Sequence, residues 1–571
     1  MKPYPIYILG TGLSHDGSTC LLKDGKIVVA IEKERLSKIK HDGGNDALTV
    51  QYCLDYAGIS INDLSLVVQV ANFEKEGIMK SRFNGKRLFE ENCTVPFVTI
   101  SHHLAHAYSA VGTCPYETCN VLVIDGCGSP LEHCEDLAGA FIPEDVSQEP
   151  GLYGEKDSYY HFDGHKLNPL YKDFSIIQLN GNKYPVYLPT SSHSIGGFYS
   201  MVSGYCFGNM DDVGKLMGLA PYGRQGVFTE PIFKLTEGRV HVIEEVLALF
   251  NKPMHFLDHS LKDNFQYYAD IAIWVQKEVE KAILYIIQSR LALKQHKNIC
   301  YAGGVALNAV ANTNILRQTE LENFYIEPAA GDNGLALGCA FYGWIEVMKK
   351  QKLLHNGSTL LGKPYTNKEV LEAIKKYQTE HPKTVIDYRE DDHYIEQTAA
   401  FLADGKLIGW FQGGAEFGPR ALGSRSILAD PRKEDVKNII NSQVKFREDF
   451  RPFAPAVLKE EVATYFEYAH ESPYMILIDK IKPTWKEKLA GIVHEDDTCR
   501  VQTVTKNWNS PFYELLKSFK EQTGIAVLLN TSFNRKGMPI VETPSDALNF
   551  FFSCKLDVLI MNNIIISKSS V

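Results

Sequence analysis

The chain has 571 residues, 44% of them hydrophobic and 22% charged, which is the profile of a globular protein too long for one core. Its net charge of −10 excludes a general affinity for nucleic acid, which needs Lys and Arg in excess. The 12 cysteines show no CxxC pair and no regular spacing, so free thiols in a reducing compartment are expected and a zinc ribbon is not. The N-terminus, MKPYPIYILGTGLSHDGS, lacks the apolar core and small-residue cleavage site of a signal peptide. No apolar stretch nears the ~20 residues that span a bilayer, so the expectation is a cytoplasmic chain with no membrane partner.

The chain opens with the apolar run Tyr7–Gly10, a polar turn, a strand at Ser18–Leu22, the Asp24-Gly25 turn and a strand at Ile27–Ile31, which reads as a hairpin. A related pattern recurs at Val121–Gly128 (VLVIDGCG), with Leu137–Ile142 as its next strand. Two such copies predict two related halves, each offering a turn to a shared cleft. Apolar residues at helical spacing predict a helix over Tyr267–Leu293. Ile299–Ala302 reads as a buried strand ending in Gly303-Gly304, with a helix from Ala306. A strand ends at Ile326–Pro328, and a small-residue helix covers Gly334–Trp344. Strands alternating with helices predict an α/β fold. Lys, Gly, Pro and His crowd the stretch after Lys349, so residues 1–350 are expected as one domain, 351–390 as a linker and 391–571 as a second α/β domain. The second domain has strands at Leu407–Trp410, Ala526–Leu529 and Val558–Met561.

His102 and His106 stand four apart, so on a helix they share a face and can bind one ion, while His103 points elsewhere. Asp125 ends an apolar strand and Asp332 precedes a helix, the strand-end position that faces a cleft in α/β folds. Two imidazoles and two carboxylates suit Fe(II), Mn(II) or Zn(II). Satisfied polar histidines and helix-capping aspartates are the plain alternatives.

Gly303-Gly304, with Asn308 following, could cradle phosphate on backbone N–H groups, or could serve packing alone. No GKS or GKT follows, so this is not a P-loop. Lys215, in GKLMGLA after Asp211-Asp212, is placed to meet a nucleotide, or is a solvated lysine. The C-terminal half holds Arg420 and Arg425 in a Gly/Pro-rich turn, then Lys445, Arg447, Arg451 and Arg500, and the run LNTSFN that carries Asn530 and Ser532. Such a concentration of donors suits phosphate or carboxylate, which Arg binds bidentately. Surface ion pairs are the competing explanation.

The motifs SHHLAHAYSA, VLVIDGCG, GKLMGLAPYG, AGGVALN, GDNGLALG, FGPRALGSRSIL, FRPFAPAVL and LNTSFNRKG occur in one order along nearly the whole chain. In these the chain resembles the antibiotic- and nodulation-type O-carbamoyltransferase family, including its tobramycin-type branch. The resemblance implies an N-terminal duplicated actin/hexokinase-like domain, similar to the tRNA-threonylcarbamoyl transferases. It implies a C-terminal α/β domain similar to the threonylcarbamoyl-adenylate synthases. The second domain would form carbamoyl-adenylate from carbamoyl phosphate and ATP with Mg2+. The intermediate would then move to the first domain, where a metal, Fe(II) or else Zn or Mn, holds it for attack by a hydroxyl.

Carried over by motif, the metal ligands are His102, His106, Asp125 and Asp332. Lys445, Arg451, Arg500, Asn530 and Ser532 bind carbamoyl phosphate and the adenylate, with Arg420 near the phosphates. His15 matches a histidine beside the transfer site, and Asp211 and Lys215 complete the catalytic set. Where the family has Gly-Gly-Asp-Asn-Pro, this chain has Gly208-Asn209-Met210-Asp211-Asp212-Val213, which leaves the acceptor-side carboxylate open. The partners expected are carbamoyl phosphate, ATP and a small hydroxylated acceptor of natural-product or sugar type, with a homodimer from the resemblance. Residues Leu137–Ser194, rich in Tyr, Asp and His, are the expected acceptor-shaping segment. A tRNA-modifying enzyme, a sugar kinase or ATPase of the same fold, and a metal-binding regulator are the rival readings. The last two give the C-terminal arginines no role.

Overall fold

The opening apolar run folds as β1 (Tyr7–Leu13), joined in antiparallel register to β2 (Ser18–Lys23) and through it to β3 (Lys26–Glu32). The hairpin turn has φ of 49° at Asp24 and 80° at Gly25, the paired left-handed conformation that suits tight hairpins. This computed structural model describes residues 4–44, 46–71, 94–147, 150–178, 189–251 and 260–568. The chain divides into two units, residues 1–33 with 42–355 and residues 34–41 with 356–571.

In the first unit, β4 (Leu66–Ala71) and β5 (Phe97–Ile100) run parallel to β1, so the sheet order is β3-β2-β1-β4-β5. After β5 comes helix α1 (His102–Thr113). The chain then repeats the pattern with β6 (Cys119–Ile124), β7 (Tyr153–Phe162) and β8 (Leu167–Ile176). These three are antiparallel, while β9 (Asn298–Ala302) and β10 (Asn323–Ile326) run parallel to β6, giving β10-β9-β6-β7-β8. The strand order and directions match those of the first sheet, which is the duplicated actin/hexokinase-like arrangement. Leu137–Ile142 is not the strand after β6: only Ala140–Phe141 is extended, paired to β8 at the far edge. The strand that pairs antiparallel with β6 is β7, whose charged residues disguise it as a loop in the sequence.

Helix α2 (Val213–Leu219) and the long α3 (Phe265–Leu293) precede β9, and α4 (Leu335–Tyr342) follows β10. The expected helix from Ala306 starts instead with a tight turn at Gly304–Leu307, and its regular part is Ala309–Gln318. The helices α1 and α4 are equivalent in the two halves, and both are apolar and small-residue-rich on nearly every face, as a helix buried between layers must be. They touch closely at Gly338, where a Cβ would lie 1.7 Å from the Ala105 carbonyl oxygen.

In the second unit, the stretch read as a linker carries α5 (Asn367–Glu380) and β11 (Ile386–Glu390). Helix α5 buries only Val370 and Ile374, which explains its polar look in sequence. Thr366 and Glu369 close its N-terminus as a capping box. Then follow α6 (Tyr394–Ala403), β12 (Ile408–Phe411), β13 (Arg425–Ala429), β14 (Ala454–Leu458), β15 (Gln502–Val504), α7 (Ser510–Thr523), β16 (Val527–Ser532), α8 (Pro544–Ser553), β17 (Val558–Met561) and β18 (Ile564–Lys568). One mixed sheet of order β11-β18-β17-β12-β13-β16-β14-β15 holds this unit together. Its strands β12, β13, β14 and β17 are buried along their length, and the core centres on Trp410, Phe411, Leu428 and Phe519. No helix among the described residues is long and apolar enough to cross a membrane.

Candidate functional site

The duplicated fold brings its two halves together at the ends of their central strands. Strand β1 runs into Ser14 and His15, and β6 runs into Asp125. His102 and His106 sit one turn apart at the start of α1, and Asp332 precedes α4. The two Nε2 atoms of His102 and His106 lie 3.0 Å apart. His102 Nε2 is 3.0 Å from Asp125 Oδ2 and 3.3 Å from Asp332 Oδ1, and His106 Nε2 is 3.9 and 3.8 Å from the same oxygens. All four ligand atoms fall within 4.8 Å of one another. Two imidazoles with their Nε2 atoms turned to one point, flanked by two carboxylates, fit one divalent ion of the Fe(II), Mn(II) or Zn(II) kind.

The electrostatics follow from burial. Burial pushes the His102 ring down, but Asp332 and Asp125 outweigh it and raise the ring to about 10. Burial and the neighbouring His102 lower His106 to about 4. Asp125 and Asp332 face opposing burial, yet the histidines hold both below the usual carboxylate range. With His102 protonated, His106 neutral and both carboxylates ionised, the cluster carries one net negative charge.

Its supports come from the surrounding turns. The Gly304 N–H donates to Asp125 Oδ1 at 2.9 Å, and the Ser14 hydroxyl donates to Asp332 Oδ2 at 2.5 Å. Gly303, at φ 91°, lies so near β6 that a Cβ would stand 2.2 Å from the Ile124 oxygen. The Gly303-Gly304 turn thus positions Asp125, and Asn308 caps the helix behind it by accepting from Ala311 N–H at 3.1 Å. His103 is turned away, to Ser158 at 2.8 Å, and burial lowers it to about 3. A buried ionic group steadies the helix start: Glu155 Oε2 accepts from His103 N–H and Ser129 N–H, and Lys172 bridges Glu155 and Asp136 at 2.5 and 2.6 Å. Ser129 Oγ in turn accepts from His102 N–H at 2.9 Å. Reading the sequence missed Ser14, Glu155, Lys172 and Asp136.

The catalytic set divides in two. His15 Nε2 is 3.2 Å from Asp211 Oδ1, and its Nδ1 is 3.3 Å from Asp16. Hydrogen bonds to Asp16 and Asp211 overcome burial and raise the imidazole to about 11. Lys215 is turned to Asp212 at 2.6 Å. The expected acceptor-shaping segment is described apart from residues 148–149 and 179–188, which lie outside the described residues.

The second unit gathers more cations than anions, with Glu448 4.0 Å from Arg451 as a carboxylate among them. Burial lowers Arg420 to about 10 with Arg451 adding to it, and lowers Arg447 to about 9, again with Arg451. Burial likewise lowers Lys445 and Arg500, reinforced by the neighbouring arginines. Arg447 belongs with this group, although its place in the sequence marked it no more than its neighbours. The Nε atoms of Arg420 and Arg500 are buried with no hydrogen-bond partner, which is the condition of donors aimed at a bound anion. Lys445 Nζ is held by Ser532 O at 2.6 Å, Ser532 Oγ at 3.1 Å, and Asn534 O and Oδ1 at 2.8 Å. Asn530 donates to Gln502 at 2.8 Å. Arg425 stands apart: it is buried, donates to the backbone of Gln412, Gly413 and Glu542, and stacks 3.5 Å over Phe411, a structural role.

Both units have counterparts among known proteins. Residues 399–568 match the family description "Carbamoyltransferase C-terminus", and residues 7–91 with 155–341 match "Carbamoyltransferase N-terminus". The nodulation protein NolNO of Sinorhizobium fredii is 30% identical over 97% of this chain and 79% of its own length. The 3'-hydroxymethylcephem-O-carbamoyltransferase of Amycolatopsis lactamdurans is 24% identical over 93% of this chain and 94% of its own. Among solved structures, HypF of T. kodakarensis is similar over 61% of this chain and 50% of its own, at 14% identity and a TM-score of 0.35. The chain belongs to the carbamoyltransferase family. It is a transferase enzyme.

Proposed function

We propose that the chain is an ATP-dependent O-carbamoyltransferase acting on a hydroxyl of a small natural-product or sugar acceptor. In the second unit, carbamoyl phosphate, ATP with Mg2+ and one water give carbamoyl-adenylate, phosphate and pyrophosphate. In the first unit the acceptor oxygen attacks the carbamoyl carbon and AMP leaves. The observation that carries this reading is the set of five cations, Arg420, Lys445, Arg447, Arg451 and Arg500, crowded together where buried guanidinium N–H groups lack partners. Like charges at close range raise one another's energy, and polyanionic substrates relieve that. Ser532 adds a hydroxyl on Lys445, and Asn530, held by Gln502, adds an amide on the same strand.

In the first unit, His102, His106, Asp125 and Asp332 would hold Fe(II), with Zn(II) or Mn(II) as alternatives. A bound ion supplies positive charge opposite the phosphate of the departing AMP. His15 keeps its proton at neutral pH between Asp16 and Asp211. It therefore orients Asp211, and the acceptor's hydroxyl proton passes to that carboxylate. Lys215, beside Asp212, offers a cation to the nucleotide. Gly303, Gly304 and Asn308 shape the floor on which the nucleotide lies, by holding Asp125 and the following helix.

The test is to supply ATP and carbamoyl phosphate without acceptor and to follow nucleotides by mass spectrometry. Carbamoyl-adenylate or AMP with pyrophosphate, dependent on carbamoyl phosphate and lost in Lys445→Ala, is the expected result. ADP and phosphate alone would replace this reading with a kinase or ATPase.

A further inference from the structure

A second cluster in the first unit has no part in that chemistry. Cys114 ends α1, Cys119 opens β6, and Cys300 lies on β9. Cys300 pairs in register with Val121, two residues beyond Cys119, so both thiols stand on one face of the sheet. The three Sγ atoms lie within 4.8 Å of one another, and all three residues are buried. Lys352 reaches into this cluster: its Nζ is 3.2 Å from Cys114 Sγ, 3.0 Å from the Cys114 carbonyl and 2.5 Å from the Tyr116 carbonyl.

We propose that Cys114, Cys119 and Cys300 form a three-thiolate site for a divalent soft metal ion, with Lys352 as its charge partner. A trigonal site with metal–sulfur bonds of ~2.3 Å sets its sulfurs ~4 Å apart, a spacing that the cluster's bound admits. Three thiolates and one divalent ion leave one net negative charge, and the Lys352 ammonium neutralises it, so the loaded site is neutral in a buried setting where a net charge is costly. A monovalent ion would leave the set charged, which favours zinc(II) or cadmium(II) over copper(I). The thiol protons go to solvent as the ion enters. The nearby carboxyl of Glu327 does not compete, because it is engaged by Thr113, Tyr325 and the Ala329 N–H.

The probe is cadmium(II) alone, added to the chelator-treated full-length protein while the ultraviolet sulfur-to-cadmium charge-transfer band is recorded. An ion held by the His/Asp cluster gives no such band, so the two sites are read separately. The expected result is a band that saturates at one cadmium per chain, survives Cys554→Ala, and is lost in Cys119→Ser and Cys300→Ser. Lys352→Met should weaken cadmium binding ~10-fold, as loss of an outer partner does. Cadmium-edge X-ray absorption on the unmutated protein, loaded with up to two equivalents, should find sulfur neighbours whether or not the variants fold. A band untouched by Cys300→Ser, or no sulfur around cadmium in the unmutated protein, would overturn the proposal.

Discussion

The His/Asp cluster of the first unit and the cation cluster of the second are both buried and polar, but their charges are arranged in opposite ways. In the first, each histidine faces carboxylates, and His102 rises to about 10 because a proton there offsets Asp125 and Asp332. In the second, burial lowers Arg420, Lys445, Arg447 and Arg500, and neighbouring cations, Arg451 among them, add to it. The first set pairs opposite charges and is left with one net negative charge. The second set carries an excess of buried positive charge, which under the proposed function a polyanionic substrate would offset.

The sharpest break of this contrast is Lys445→Ala. It removes a preorganised donor from the second set and should cut adenylate formation by ~10²-fold or more, measured as pyrophosphate release. His102→Ala should leave pyrophosphate release intact while transfer to an acceptor falls by ~10²-fold and bound metal disappears from elemental analysis. If both half-reactions fell together, the division of labour between the clusters would be wrong. Ser14→Ala takes the hydroxyl from Asp332 and should weaken metal binding ~10-fold, read by competition with a chromophoric chelator. Arg500→Gln should do the reverse of a normal core substitution. By relieving like-charge crowding it should raise the stability of the ligand-free protein by about 1 kcal/mol in thermal unfolding, while adenylate formation is lost.

The smallest effect concerns His15, which is half exposed. Its raised value means its stabilising contribution is present in full below the ordinary histidine value of 6.5 and is lost as pH climbs through about 11. Its imidazole resonances should therefore stay at their protonated positions through neutral pH, and Asp211→Asn should bring the transition down.

The first cluster was largely legible in sequence, because a helical i, i+4 histidine pair needs no tertiary information to share a face. Strand-end aspartates are equally visible. The Glu155–Lys172–Asp136 support was not, since charged residues in a strand read as exposed until another buried charge is found to pair them. The same held for residues 351–390, where α5 turns only two side chains to the core and so resembles a polar connection.

The sequence by itself determined the two α/β halves, the hairpin at Asp24-Gly25, the HxxxH pair and the family, because each rests on short spacings or on a long ordered set of motifs. Only the tertiary structure decided which groups share a charge. It set Gly304 on Asp125 and Ser14 on Asp332, and it gathered Arg420, Lys445 and Arg500 from separate segments. It also brought Cys300 to Cys114 and Cys119. The reason is physical: burial and the pairing of charges depend on distances through space, and residues far apart in the chain meet only when the sheets close around them.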